Sequence, residues 1–274
     1  MTDDTSLTPA IARQYDLFQE SLEAIGKERP FLNYGYTVTG RESYEDRQQR
    51  LCEELFKAAD LRPDNVVVDV GFGTGEQDLL LAQTQKFEQL IGFNISGRQV
   101  TFASSRIAAA GLGARISLRL GEAEVMPGLA PASADRVLAV ECAFYFDRPR
   151  FYHRAFEVLR PGGLAVLADI SLSDRLRFLS RIPDLSRVGT RSANRALWER
   201  HFVTKSVRSI NTETRPGAQM TVSRILRTIA AAPFSTAQRR EWLKMAASSQ
   251  IVAIGLAVGL IHYDLIVLEK PIPA

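Results

Sequence analysis

Cysteine is scarce in this chain, with Cys52 and Cys142 the only two in 274 residues. Two thiols cannot build a disulfide framework, so stability must come from a buried core. The three histidines, His153, His201 and His262, lack the close spacing of a metal site, and no metal is expected. Long apolar runs are missing as well: Ile251 to Ile261 is the longest, well short of the ~18 residues that a bilayer span needs. It reads as core, and no stable membrane insertion is expected. The chain does not open on a basic region followed by an apolar one, so no secretion signal is read and a cytoplasmic location follows. Nor is there an excess of one charge, because 34 Lys and Arg against 31 Asp and Glu leave only +3. That field is too weak to recruit nucleic acid. No repeat or low-complexity tract occurs, and disorder is expected only in roughly the first ten residues, where Thr, Asp and Ser dominate. The remainder has ordinary globular composition, 46% hydrophobic and 24% charged, in a length that suits one large domain or a domain with a cap.

The stretch Val66-Val67-Val68-Asp69-Val70-Gly71-Phe72-Gly73-Thr74-Gly75 organises the rest. Its β-branched run reads as a buried strand, the glycines force a tight turn, and Glu76 to Ala82 has the composition of a helix start. A strand, a bare-backbone turn and a helix N-terminus make a nucleotide site. A dinucleotide fingerprint would place its third glycine where Glu76 stands, and the actual spacing, Gly71, Gly73 and Gly75 behind Asp69, is different.

The motif D-V-G-F-G-T-G instead resembles the first motif of class I S-adenosylmethionine (SAM)-dependent methyltransferases. The resemblance implies that Gly71, Gly73 and Gly75 pass under the methionine part of SAM and that Asp69 stands near its cationic end. Further motifs agree in order and spacing. Asn94-Ile95-Ser96-Gly97-Arg98-Gln99 resembles a variant of sugar, tocopherol and fatty-acyl methyltransferases in which Asn94 and Gln99 share the ribose. An amide supplies both donor and acceptor, so that substitution for the usual acid is chemically sound. Gly121-Glu122-Ala123-Glu124 is similar to the family's adenine loop, with Glu122 accepting from the amino group and the Ala123 N–H reaching the ring. The sequence V-L-R-P-G-G ahead of Leu164 to Asp169 matches the family's turn into its fifth strand. The loop Pro30-Phe31-Leu32-Asn33-Tyr34-Gly35-Tyr36 resembles an N-L-x-x-G-Y lid over SAM, which assigns Tyr36 to the cofactor and Tyr34 to the acceptor.

These readings give a fold class, α/β with a Rossmann-like seven-stranded mixed sheet and a helical cap. Strands are expected at 66–70, 89–94, 116–120, 134–140, 163–169, 202–211 and, antiparallel, 263–269. Helices are expected over 97–110, 151–159, 218–231 and 236–247, with a further one carrying Ile11, Tyr15, Phe18 and Leu22 and another carrying Leu51 and Leu55. The domain reading is helices and lid at 1–60, the SAM-binding core at 61–172, a cap at 173–201, and the end of the sheet with substrate-side helices at 202–274.

Methyl transfer asks the protein to align a nucleophile and, where needed, to remove a proton. Related sugar and phenol O-methyltransferases carry histidines after the fourth strand; here that segment is Glu141-Cys142-Ala143-Phe144-Tyr145-Phe146. The base candidates are therefore Glu141, Asp169, Asp147 and the phenol of Tyr145, with Glu141 equally able to hold the cofactor. Aromatic residues Phe144, Tyr145 and Phe146, with Tyr34, imply an apolar acceptor pocket. Arg187, Arg191 and Arg195 at i, i+4, i+8 share a helical face, which is either a solvated surface or, facing the pocket, suited to a carboxylate or phosphate on the acceptor, and Arg191 is taken as a substrate residue. The function expected is methylation of an apolar small molecule of secondary metabolism, such as a sugar, polyketide, quinone or isoprenoid, at O or C. The alternative is a SAM fold used for cyclisation, or a non-catalytic SAM-binding subunit. The missing histidine argues against a cyclopropane synthase.

Overall fold

The computed structural model describes residues 8–26 and 31–273. Most of the expected disordered N-terminus lies outside them, although Thr8 already begins a helix. Alternation of side chains along each strand explains how the apolar runs build two layers. In β1 (Val66–Val70), Val67 points into one core, while Val68 and Val70 point into the other. Both faces are buried, as a parallel strand demands. Parallel partners β2 (Gln89–Asn94) and β4 (Ala134–Val140) flank β1, with β3 (Ile116–Leu120) outside β2. β5 (Leu159–Leu172) follows β4, and β7 (Ile261–Glu269) runs antiparallel between β5 and β6 (Val203–Ser209). The strand order is β3-β2-β1-β4-β5-β7-β6, the seven-stranded mixed sheet that the motifs predict.

Helices α2 (Tyr44–Ala59) and α3 (Glu76–Thr84) cover one face through Leu51, Leu55, Leu80 and Leu81, joined by Ile107 of α4 (Gly97–Ala109). On the other face lie α5 (Arg148–Val158), through Phe151, Tyr152 and Val158, and α7 (Arg191–Trp198), through Trp198. Each such fully buried large side chain contributes about 1.5–3 kcal/mol. A third, smaller cluster joins α1 (Thr8–Ala24), α8 (Asn211–Ala231) and α9 (Thr236–Val258) around Phe18, Leu22, Ile225, Phe234 and Trp242. None of the helices described is long and apolar enough to cross a membrane.

Several boundaries differ from expectation. The Arg160-Pro161-Gly162-Gly163 segment falls within β5, with Gly162 turning at φ +77° and the register against β4 shifting beside it, since α5 already stops at Val158. Helix α9 runs on to Val258, so the apolar run beginning at Ile251 is not core throughout. Ile251, Ile254 and Val258 face outward, whereas Ala253 and Leu256 are buried. The 173–201 segment breaks into a 3-10 stretch (Asp174–Arg181), α6 (Pro183–Val188) and α7, with Gly189 in the left-handed region between the last two. Arg187 and Arg191 therefore sit on different helices, and the three-arginine face does not form. The roof over the ligand side comes from α1, α8 and α9 rather than from this segment.

Candidate active site

Two cavities meet beyond the carboxyl ends of β1, β2 and β4. The first spans about 900 Å³, open solvent at its mouth included, and is lined by Gly71, Phe72, Gly73, Asn94, Gln99, Glu122, Ala123 and Glu141, with Ile11 and Tyr15 of α1 and Phe31 to Asn33 above. Gly71 and Gly73 have φ of +71° and +58°, a region only glycine enters freely. A Cβ on Gly71 would stand 2.7 Å from Cβ of Cys142, and one on Gly73 would stand 3.2 Å from Cδ1 of Leu32. At the end of β2, Nδ2 of Asn94 donates to Oε1 of Gln99 at 2.9 Å and to the Gly73 carbonyl at 3.3 Å. Ser96 caps α4 by accepting from the Gln99 N–H at 3.1 Å, which turns the Gln99 side chain back toward Asn94. Its Nε2 is buried without a partner. An unpaired buried donor costs about 1–3 kcal/mol, and a ribose hydroxyl would satisfy it.

Three expected cofactor residues stand elsewhere. Gly75 faces α4, where a Cβ would meet Cβ of Ala103 at 2.7 Å, so it serves helix packing. Asp69 lies beneath the turn, accepting from Nε2 of Gln77 at 2.5 Å; burial raises its pKa to about 6 and raises that of the neighbouring Asp78 too. It reaches the cleft only through Gln77, which does line it. Tyr36 turns outward to accept from Arg208 at 2.9 Å. From this loop it is Phe31, Leu32 and Asn33 that line the first cavity, with Asn33 fixed by a mutual exchange with Gln48: its Nδ2 donates to the Gln48 carbonyl at 3.2 Å, and Gln48 Nε2 donates to the Asn33 carbonyl at 2.6 Å.

The second cavity, about 1180 Å³ of empty space, is lined by Tyr15, Phe18, Leu22, Tyr34, Tyr44, Phe144, Tyr145, Ile225, Trp242 and Met245, with Glu141 in its floor. The lid is strapped down on its far side by α8: Thr37 N–H donates to the Glu213 carbonyl at 2.9 Å. Gly217 lies so close to the Tyr34 carbonyl that a Cβ would overlap it. Glu141 follows β4 with φ +51°, strained for a residue with a side chain. Its Oε1 accepts from the Tyr34 N–H at 2.7 Å and from the Tyr263 hydroxyl at 2.6 Å. Burial pushes its pKa up to about 8, against the lowering effect of those two donors. Tyr145 lines both cavities, and its hydroxyl accepts from Tyr15 at 3.1 Å. Burial raises both phenols, which makes them neutral hydrogen-bonding groups rather than bases.

Other candidates are drawn away from the chamber. Asp169 is clamped by Arg148, with NH1 at 2.5 Å from Oδ2 and both side chains nearly inaccessible, and it lines neither cavity. Arg191 is committed to Asp264 of β7 through two bonds of 2.8 Å. Phe146 belongs to the cofactor cleft, not the acceptor chamber. Asp147 caps α5 by accepting from the Arg150 N–H at 3.2 Å. None of His153, His201 and His262 lines either cavity, and the described residues hold no cluster of metal-ligating groups. The sequence reading placed the lid loop and the substrate-side helices that become α8 and α9, but it named only Tyr34 and Tyr36 from that loop and did not identify Tyr15 or Tyr263 as site residues. Only the aromatic content of the first helix hinted at Tyr15.

A glycine turn, a buried amide pair and an acidic loop at the ends of parallel strands, opening on a separate apolar chamber, share the fold of class I SAM-dependent methyltransferases. Residues 68–167 match the methyltransferase domain family. The erythromycin 3''-O-methyltransferase of Saccharopolyspora erythraea is 34% identical over 157 residues, 57% of this chain and 51% of that protein. The 27-O-demethylrifamycin SV methyltransferase of Amycolatopsis mediterranei is 32% identical over 170 residues, 61% of each chain. The chain thus spans only between 51% and 61% of the length of these relatives. Among solved structures, the [4+2]-cyclase SpnF shares the fold with a TM-score of 0.79 at 19% identity, over 96% of both chains. The match over residues 68–167, together with these relatives, identifies that segment as similar to a methyltransferase domain.

Proposed function

We propose that this protein transfers a methyl group from SAM to an oxygen or carbon of an apolar small molecule of secondary metabolism, working in the cytoplasm. The observation that carries this is the junction of the two cavities at Glu141 and Tyr145, which line both. Gly71 and Gly73 would receive the methionine part of SAM, Asn94 and Gln99 its ribose, and Glu122 and the Ala123 N–H its adenine. SAM, when bound, supplies an electrophilic methyl on a sulfonium, so the protein's part is placement and proton removal. Phe144, Tyr34 and Trp242 hold the acceptor's apolar body and exclude water. Tyr145 orients an acceptor hydroxyl by hydrogen bonding, and Glu141 takes the proton through Oε2, since both of its protein donors bind Oε1.

The test is incubation with methyl-labelled SAM and an extract of the source cells, followed by identification of the labelled product. Glu141→Gln should cut turnover by roughly 100-fold while binding of S-adenosylhomocysteine changes little. Full turnover in that variant would remove Glu141 from the chemistry. Because no described histidine lines the chamber, a second reading is retained: the chamber folds or cyclises its guest without methyl transfer. Conversion of the guest with no label incorporated would establish it.

A further inference from the structure

Beyond Phe144 and Tyr145, the acceptor chamber continues into an outer groove between α1, α6 and α9. Among the described residues, four charged ones line this groove: Arg13, Arg187, Glu241 and Lys244. Lys244 is paired with Glu241 at 2.7 Å, so those two cancel. Arg13 spends only its Nε, on the Pro9 carbonyl at 3.3 Å, and Arg187 one N–H, on the Tyr145 carbonyl at 2.9 Å. Neither guanidinium meets a carboxylate among the described residues. Among the described residues the chamber offers an anion little: the cation lining it, Arg224, is already paired with Glu45 at 2.5 Å, and its floor is the acid Glu141.

This asymmetry sorts the parts of a guest. An oxyanion pushed into the aromatic chamber would lose its water without gaining a partner. In the groove it keeps solvent on one side and meets two planar donor forks with free N–H groups. Arg187 is fixed to the backbone of Tyr145, so a guest held there is in register with the junction where the cavities meet.

We propose that the acceptor is an amphiphile whose apolar body fills the chamber and whose oxyanion, a carboxylate or phosphate, rests between Arg13 and Arg187 in the outer groove. This rests on the reading that the chamber takes the acceptor. Anilinonaphthalene sulfonate and its uncharged counterpart N-phenylnaphthylamine, titrated by fluorescence into the intact protein, test it without knowledge of the acceptor. The sulfonate should bind more tightly, and the paired change Arg13→Ala, Arg187→Ala should weaken it about fivefold or more, leaving the neutral probe unchanged. Arg13→Ala alone, on an exposed turn, should show part of the loss even if removal of Arg187 disturbs Tyr145. Displacement by decanoate and by decyl phosphate tells which oxyanion the groove prefers, with decanol expected to compete at least fivefold less well. Equal binding of both probes, equal loss of both in the variants, or decanol competing as well as the anions would overturn the proposal. Calorimetry with S-adenosylhomocysteine is read separately: failure to bind it would sink the methyltransferase reading while the probe result still judged the groove.

Discussion

Tyr263→Phe probes the proton chemistry at Glu141 without touching a cavity-lining residue. The Tyr263 hydroxyl donates to Oε1 at 2.6 Å and stabilises the carboxylate form. A hydrogen bond to a charged group is worth about 1.5–3 kcal/mol, and each pKa unit corresponds to about 1.4 kcal/mol. Its loss should therefore raise the Glu141 pKa from about 8 to between about 9 and 10. If Glu141 is the base, kcat/KM of the wild type climbs as pH approaches about 8 and levels above it. The variant's climb should be displaced to higher pH with the same plateau, and Glu141→Gln should flatten the profile at a low level. Stability moves in the opposite direction. The folded chain keeps the Glu141 proton to about 8, whereas the unfolded chain releases it in the ordinary carboxylate range. That contribution is full below the unfolded value and is lost as pH rises through the folded one. Denaturation of Glu141→Gln should accordingly be less sensitive to pH across this window. A rate profile identical in wild type and Tyr263→Phe, or an alkaline rise persisting in Glu141→Gln, would refute the reasoning.

Other outcomes follow from the same geometry. Gly71→Val should abolish S-adenosylhomocysteine binding in calorimetry, because the new Cβ would press on Cys142 at 2.7 Å and occupy the cleft. Gln99→Ala should weaken that binding by about 1 kcal/mol, the worth of one neutral hydrogen bond; a bound structure with the ribose touching neither Asn94 nor Gln99 would discard the assignment. Asp169→Asn should lower unfolding stability by about 3–5 kcal/mol in denaturant titrations, since it strands Arg148 in the core. The fraction that stays folded should retain turnover. A large loss of kcat with unchanged stability would restore Asp169 to the catalytic set.

The sequence alone determined the features that depend on neighbours along the chain. The Gly71 and Gly73 turn after a four-valine strand, the pairing of Asn94 with Gln99 five positions on, and the Glu122-Ala123 loop are all local, and each stands on the cleft wall. Strands β1, β2, β4, β5 and β7 were legible for the same reason, because a run buried on both faces announces itself by composition. Tertiary structure decided which face each functional side chain presents and what it meets. Asp169 and Arg191 look available in sequence, but Arg148, 21 positions away, and Asp264, 73 positions away, had already engaged them. Tyr34 and Tyr36 differ by two places, yet one faces the chamber and the other turns out to Arg208. The arginine stripe failed at Gly189, whose φ of +64° separates two short helices that periodicity alone would join. Glu141 became the central group only through contacts 107 and 122 positions distant, with Tyr34 and Tyr263. Burial and hydrogen bonding set its proton affinity, and both are properties of the packed chain that no run of neighbouring residues encodes.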